Sequence, residues 1–196
     1  MKIFDLYETN SIKVEDPGLK RYINLREKLL IKSHGRDNTE RFAKVKVHIV
    51  ERLINQLGVP GHRGKKHKIM TYWATGKWNK NAKTVLKAFK TIGEKTNQNP
   101  VQVFVKAIEN AAPRDEITTI EYGGARYPQP VDTAPIRRVS LALRNIVHGA
   151  YDKAFGKKLE MADALANEII ACSNNSSDAF AISKKSETEK MATSAR

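Results

Sequence analysis

The chain has 196 residues with 35 Lys+Arg against 21 Asp+Glu, a formal net charge of +14 and an isoelectric point near 9.9. That length fits one domain with arms, and 40% hydrophobic residues exclude a wholly disordered polymer. A lone cysteine, Cys172, excludes an intramolecular disulfide framework and suits a reducing cytosol, and no apolar run approaches the ~20 residues of a membrane span.

The charge is concentrated. Residues 1–60 carry twelve basic and eight acidic side chains, residues 61–95 ten and one, and residues 96–196 thirteen and twelve. A block whose only acid is Glu94 repels itself, and a phosphate backbone relieves that repulsion while releasing counterions.

Residues 1–40 read as an N-terminal arm, with a turn at Asp16-Pro17-Gly18 and one anchoring patch at Leu29-Leu30-Ile31. From Phe42 to Leu57 the apolar positions Val45, Ile49, Leu53 and Leu57 recur at helical spacing, and Gly58-Val59-Pro60-Gly61 stops the helix. His62 to Lys68 has no apolar face and reads as a basic loop; Ile69 to Ala74 fits a strand or the start of a helix. A second helix follows through Val85, Leu86, Phe89 and Ile92, its other face filled by Lys80, Lys83, Lys87 and Lys90.

Asn99-Pro100 signals the next helix start, with Val101, Phe104, Ile108 and Ala111 on one stripe and Pro113 ending it. The period then changes. Ile117 to Tyr122 and Ala125 to Tyr127 flank Gly123-Gly124, a hairpin signal, and Pro128 and Pro130 deny the returning strand its ladder donors. The expectation is a projecting two-stranded ribbon at about 114–132. Helical spacing resumes through Ile136, Val139, Leu143, Ile146 and Val147, with Arg137 and Arg144 seven residues apart on one face and Arg138 beside the first. A further helix runs through Leu159, Ala162, Leu165, Ile169 and Ile170. Residues 183–196 form a charged, helical tail with few expected core contacts. The fold class is therefore mainly α: a single-domain bundle of five to six helices over residues 41–182, carrying a β-ribbon, an N-terminal arm and a C-terminal tail.

Catalytic and metal-binding patterns are missing from the sequence. The five histidines form no HxxxH or HExxH pattern, and neither Gly64-Lys65 nor Gly76-Lys77 completes a phosphate loop. Cys172, among Ile169 and Leu165, reads as a core residue, and Asp115-Glu116 are expected to pair with Arg114 or Arg126. No cofactor, metal or small-molecule substrate is implied. Lysines and arginines on exposed loops suit phosphates, while Tyr72, Trp73 and Trp78 are either stacking platforms for bases or core residues.

The stretch Asn99-Pro100-Val101-Gln102-Val103-Phe104-Val105-Lys106-Ala107-Ile108-Glu109-Asn110 is followed by Pro113-Arg114 and by the Gly123-Gly124 ribbon with Tyr127 and Val131. Then come Pro135-Ile136-Arg137-Arg138 and Ala142-Leu143-Arg144. In this order the motifs resemble the small-subunit ribosomal protein family universally numbered seven. Ala181 to Lys190 and the Ser-Ala-Arg end resemble its archaeal and eukaryotic branch, and the likeness covers roughly residues 40–196; the first 40 residues resemble the archaeal form alone. The resemblance implies a structural, non-enzymatic protein that binds small-subunit rRNA and nucleates folding of the head domain. It also implies a ribbon reaching the mRNA exit region and the tRNA exit site, with other small-subunit proteins as neighbours and no membrane partner. The family's Gly-Lys-Lys loop is set on Gly76-Lys77, with Trp78 in place of the second lysine.

The candidate rRNA contacts are Lys32, Arg36, Arg41 and Lys44; Arg63, Lys65, Lys66 and Lys68 in the basic loop; Lys77, Lys80 and Lys83; and Arg137, Arg138 and Arg144. On the ribbon they are Arg114, Arg126 and Tyr127. The rival reading is a helix-turn-helix DNA-binding regulator using the basic helix over residues 80–95, which predicts an isologous dimer on palindromic sites.

Overall fold

A computed structural model describes residues 2–9, 11–28, 30–37, 39–59 and 76–196. Among these, two short strands, β1 (Lys2–Ile3) and β2 (Tyr7–Glu8), precede the one-turn helix α1 (Pro17–Lys20). A 3-10 turn (Ala43–Lys46) leads into α2 (Ile49–Leu57), α3 (Trp78–Thr96) and α4 (Pro100–Ala111). The ribbon strands β3 (Asp115–Tyr122) and β4 (Ala125–Asp132) follow, then α5 (Pro135–Ala154), α6 (Met161–Ser173) and α7 (Phe180–Ser194). The fold is mainly α with a β-ribbon, as the periodicities imply.

Helix α4 is the hub. Asn99 caps it by accepting the Val101 N–H at 3.0 Å, Pro100 occupies the first turn, and Val101, Phe104, Ile108 and Ala111 are fully buried. It packs on α3, α5, α6 and α7. Phe89 of α3 meets Phe104 with ring centroids 5.9 Å apart and Tyr7 edge-on at 6.0 Å, so the arm reaches the centre of the core. A side chain on Gly149 of α5 has no room: a Cβ there would lie 2.6 Å from Glu168 Oε1 and 2.8 Å from Phe180 Cβ. That contact lets α5 approach α6 and the start of α7 closely. Glu168, itself buried, accepts the Ala181 N–H at 3.2 Å and pairs with Lys153 at 2.5 Å, so one carboxylate ties three helices together at the positive end of α7.

Three expectations change. The helix expected from Phe42 to Leu57 is interrupted at Val47 and His48, whose extended backbone separates the 3-10 turn from α2. There the Ile49 N–H donates to Asn24 O at 3.0 Å, and the Asn24 side-chain amide donates to Lys46 O, so the arm takes hydrogen bonds a continuous helix would have kept. The arm itself has several anchors: Ile3, Leu19, Ile23 and Ile31 are buried, whereas Leu30 is exposed. Lys13 exchanges two hydrogen bonds with the Gln102 side chain. Leu159, expected on the next helix, stays outside α6 and is exposed. The tail is helical, and of residues 183–196 Ala192 is the one that is buried; Ala181 and Ile182, buried at the start of α7, lie before it.

Candidate nucleic-acid interface

The ribbon forms because Gly123 and Gly124 both take positive φ, +56° and +82°, in a two-residue turn that pairs Tyr122 with Ala125. From Thr118 to Gln129 every residue is exposed, so core packing does not hold the distal ribbon. Its root is braced instead. Glu189 of α7 accepts the Arg114 N–H at 3.0 Å, Arg196 pairs with Asp115 at 3.1 Å, and Arg137 holds Glu116 at 2.7 Å. The expected pairing of Asp115 and Glu116 with Arg114 or Arg126 is therefore corrected: Glu116 is engaged from α5 and Asp115 by Arg196 beyond the end of α7, and Arg126 faces Glu121 across the ribbon at 3.6 Å. Tyr127 and Tyr122 lie exposed near the tip.

The two arginines at the start of α5 differ. Arg137 is exposed at the ribbon root. Arg138 points inward, with its side chain 11% exposed, donating to Asp16 at 2.9 Å and to Pro113 O at 3.2 Å. Burial pushes the Asp16 carboxyl up, but the Arg138 and Gly18 hydrogen bonds and the charges of Arg138 and Arg114 outweigh it, leaving the group below the usual range.

On the body, Lys32, Lys44 and Arg52 line one cleft of about 340 Å³ together with Glu51, His34 and Trp78. Partial burial lowers the Lys44 ammonium below its ordinary value, and the positive charges of Arg52 and Arg144 lower it further. Cations from the arm, the 3-10 turn, α2 and α5 thus converge. Arg52 was not singled out by sequence reasoning; it is buried, donates to Tyr22 O and to Ser140 Oγ at 3.2 Å each, and burial brings its pKa down to about 10. On α2 the burial extends past the apolar stripe to Glu51 and Arg52, and the spacing of Ile49, Leu53 and Leu57 gives no signal of it.

Trp78 is the first residue of α3 and packs half-buried on the core with the Lys32 ammonium 5.1 Å from its ring, so it is no open loop position equivalent to a lysine. Lys77 precedes α3, and Lys80 and Lys83 lie exposed along it; Lys87 pairs with Glu160 at 2.8 Å and Lys95 donates to Asn167 at 2.7 Å. Arg36 and Arg41 are exposed in the arm and at its end. The basic-loop residues Arg63, Lys65, Lys66 and Lys68, with Tyr72 and Trp73, lie outside the described residues.

Among the described residues no three His, Cys, Asp or Glu side chains form a metal-binding group, and no helix is long and apolar enough to cross a membrane. Cys172 is buried, and burial, reinforced by the Glu168 charge, pushes its thiol well above the usual range, away from the reactive thiolate.

A helical body with converging cations and a braced, exposed ribbon offers phosphates a charged face and a projecting arm. The chain belongs to the family described as ribosomal protein S7p/S5e, whose model matches residues 19–196. It is 50% identical over 196 residues to "Small ribosomal subunit protein uS7" of Nanoarchaeum equitans, covering 100% of this chain and 99% of that protein. It is 45% identical over 194 residues to the protein of the same name in Archaeoglobus fulgidus, covering 99% and 94%. The Thermoplasma volcanium protein of that name is 42% identical over 194 residues, covering 99% and 100%. The likeness to these archaeal proteins takes in the arm, as expected for the first 40 residues, and the family model itself begins at residue 19, ahead of the expected residue 40.

Proposed function

We propose that this chain is a structural component of the small ribosomal subunit in the cytoplasm, binding head-domain rRNA early and nucleating its folding. The observation that carries the reading is the convergence of Lys32, Lys44, Arg52 and Arg144, from four separate segments, on one side of the body. Such a cluster is costly without a polyanion. The family membership and the archaeal relatives name the complex. The exposed ribbon, with Arg126 and Tyr127, is suited to reach the mRNA exit region and the tRNA exit site, and the exposed helical faces to meet neighbouring small-subunit proteins.

The test is binding of the full-length chain to a head-domain rRNA fragment and to duplex DNA at rising salt. The expected result is preference for the folded rRNA, with log K falling by about 0.7–0.9 per tenfold salt for each phosphate neutralised. Salt-insensitive binding overturns the reading, and equal preference for palindromic duplex DNA by a dimer overturns it in favour of the helix-turn-helix regulator.

A further inference from the structure

Phe42 combines two features that intramolecular packing does not reward. Its backbone is left-handed, with φ +64° and ψ 5°, a conformation rarely held by a bulky residue, and its side chain is largely exposed at 65%. The strained conformation is pinned by its neighbours: the Ala43 N–H donates to Glu40 O at 3.1 Å, and Phe42 O accepts the Val45 N–H at 3.2 Å as the 3-10 turn begins. The Arg41 guanidinium lies 5.2 Å from the ring centroid. The ring borders a cleft of about 540 Å³ between the arm, the 3-10 turn and the start of α5, with Tyr22, Pro135 and Ile136 supplying apolar surface. Arg21, Arg41 and Lys46 supply three cations, against one acid, Glu40, which Lys46 already engages at 2.8 Å.

We propose that Phe42, backed by Arg41, is a stacking platform for one unpaired RNA base, with Arg21 on the same cleft for a flanking phosphate. This rests on the rRNA-binding reading and names a contact within it. Every base has a flat π-face that an exposed aromatic ring can take regardless of sequence, and an arginine beside the ring adds a cation–π contribution. An apolar peptide segment would use the ring and leave the cations idle. A nucleotide uses both.

The experiment measures affinity of the full-length chain for a head-domain rRNA fragment as wild type, Phe42→Gly and Phe42→Trp, with thermal midpoints recorded alongside. Glycine accepts the left-handed backbone without strain, so Phe42→Gly should keep or raise the thermal midpoint while weakening rRNA binding about 5- to 150-fold, the range stacking contributes. The slope of log K against log salt should stay at the wild-type value, because stacking releases no counterions. Phe42→Trp should retain binding. A wild-type affinity for Phe42→Gly overturns the stacking contact while leaving the rRNA reading standing. A changed salt slope overturns it as well, since the loss would then be electrostatic. Failure of the wild-type chain to bind removes the underlying reading and the contact with it. Unchanged rRNA binding by Phe42→Gly together with lost association with a neighbouring small-subunit protein assigns the ring to a protein contact instead, and also overturns the proposal.

Discussion

Arg138 of α5 reaches across 122 residues of sequence to Asp16 of the arm, and the two side chains meet at 2.9 Å in a contact that leaves the arginine only 11% exposed. The same guanidinium donates to Pro113 O, at the junction between α4 and the ribbon. One side chain therefore fastens arm, body and ribbon root.

Arg138→Ala should destabilise the chain by about 1–2 kcal/mol, because it removes the donor to the buried Pro113 carbonyl and leaves the partly exposed Asp16 carboxylate with the Gly18 N–H. Denaturant unfolding measures this. Arg137→Ala, which removes a more exposed partner of Glu116, should cost about 1 kcal/mol or less. Asp16 adds a pH dependence of known sign. Its folded carboxyl titrates below 3.8, so its contribution is fully present above that value and is lost as pH falls through the depressed folded pKa.

His48 should add an acid sensitivity of the same sign that begins nearer neutrality. Its imidazole is buried, its Nδ1 accepts the Val50 N–H at 3.2 Å, and burial, with the Lys28 charge, lowers its pKa from 6.5 to about 4. The unfolded chain protonates first, so stability should fall as pH drops from 6.5 towards 4 and level off below, by at most about 3 kcal/mol. His48→Asn keeps an oxygen acceptor for the start of α2 and should flatten that part of the profile. An unchanged pH profile in the variant would assign the acid sensitivity elsewhere.

Gly149→Ala should be among the most disruptive single-methyl changes in the chain. The added Cβ collides with the Glu168 carboxylate, and Glu168 cannot yield without releasing Lys153 and the Ala181 N–H. A loss of about 1–3 kcal/mol is expected from overpacking of this kind. If the thermal midpoint of Gly149→Ala matches that of wild type, α5 and α7 are not packed as closely as described.

The elements easiest to read in the sequence were those specified locally. Helix α4 announces itself through Asn99-Pro100 and its unbroken stripe, and the ribbon through Gly123-Gly124, because capping and positive φ act over a few residues. The interruption at Val47-His48 was invisible: Val45, Ile49 and Leu53 keep helical spacing through it, and the bonds that break the helix come from Asn24. The same limit hid the fate of Arg138. Two adjacent arginines look equivalent until Asp16 is brought to one and Glu116 to the other. Helix α7 is tied to the core partly by polar contact, through Glu168, and so offers little apolar periodicity to read.

The converging cations make the sharpest functional prediction. Lys44→Ala and Arg144→Ala should each weaken binding to head-domain rRNA by about 0.5–1 kcal/mol and lower the salt slope by about 1. Neither should cost much stability, because each removes one like charge from a cluster in which Arg52 and Arg144 add to the burial that lowers Lys44. Replacing Arg63, Lys65, Lys66 and Lys68 together by Ala should cost a few kcal/mol of affinity by the same counterion argument. Arg138→Ala supplies the contrast: its guanidinium is occupied by Asp16 and Pro113, so where the variant remains folded, the salt slope of rRNA binding should match wild type. A salt slope that drops for Arg138→Ala and not for Lys44→Ala would reverse the division between the arginine that holds the fold and the lysine that faces RNA.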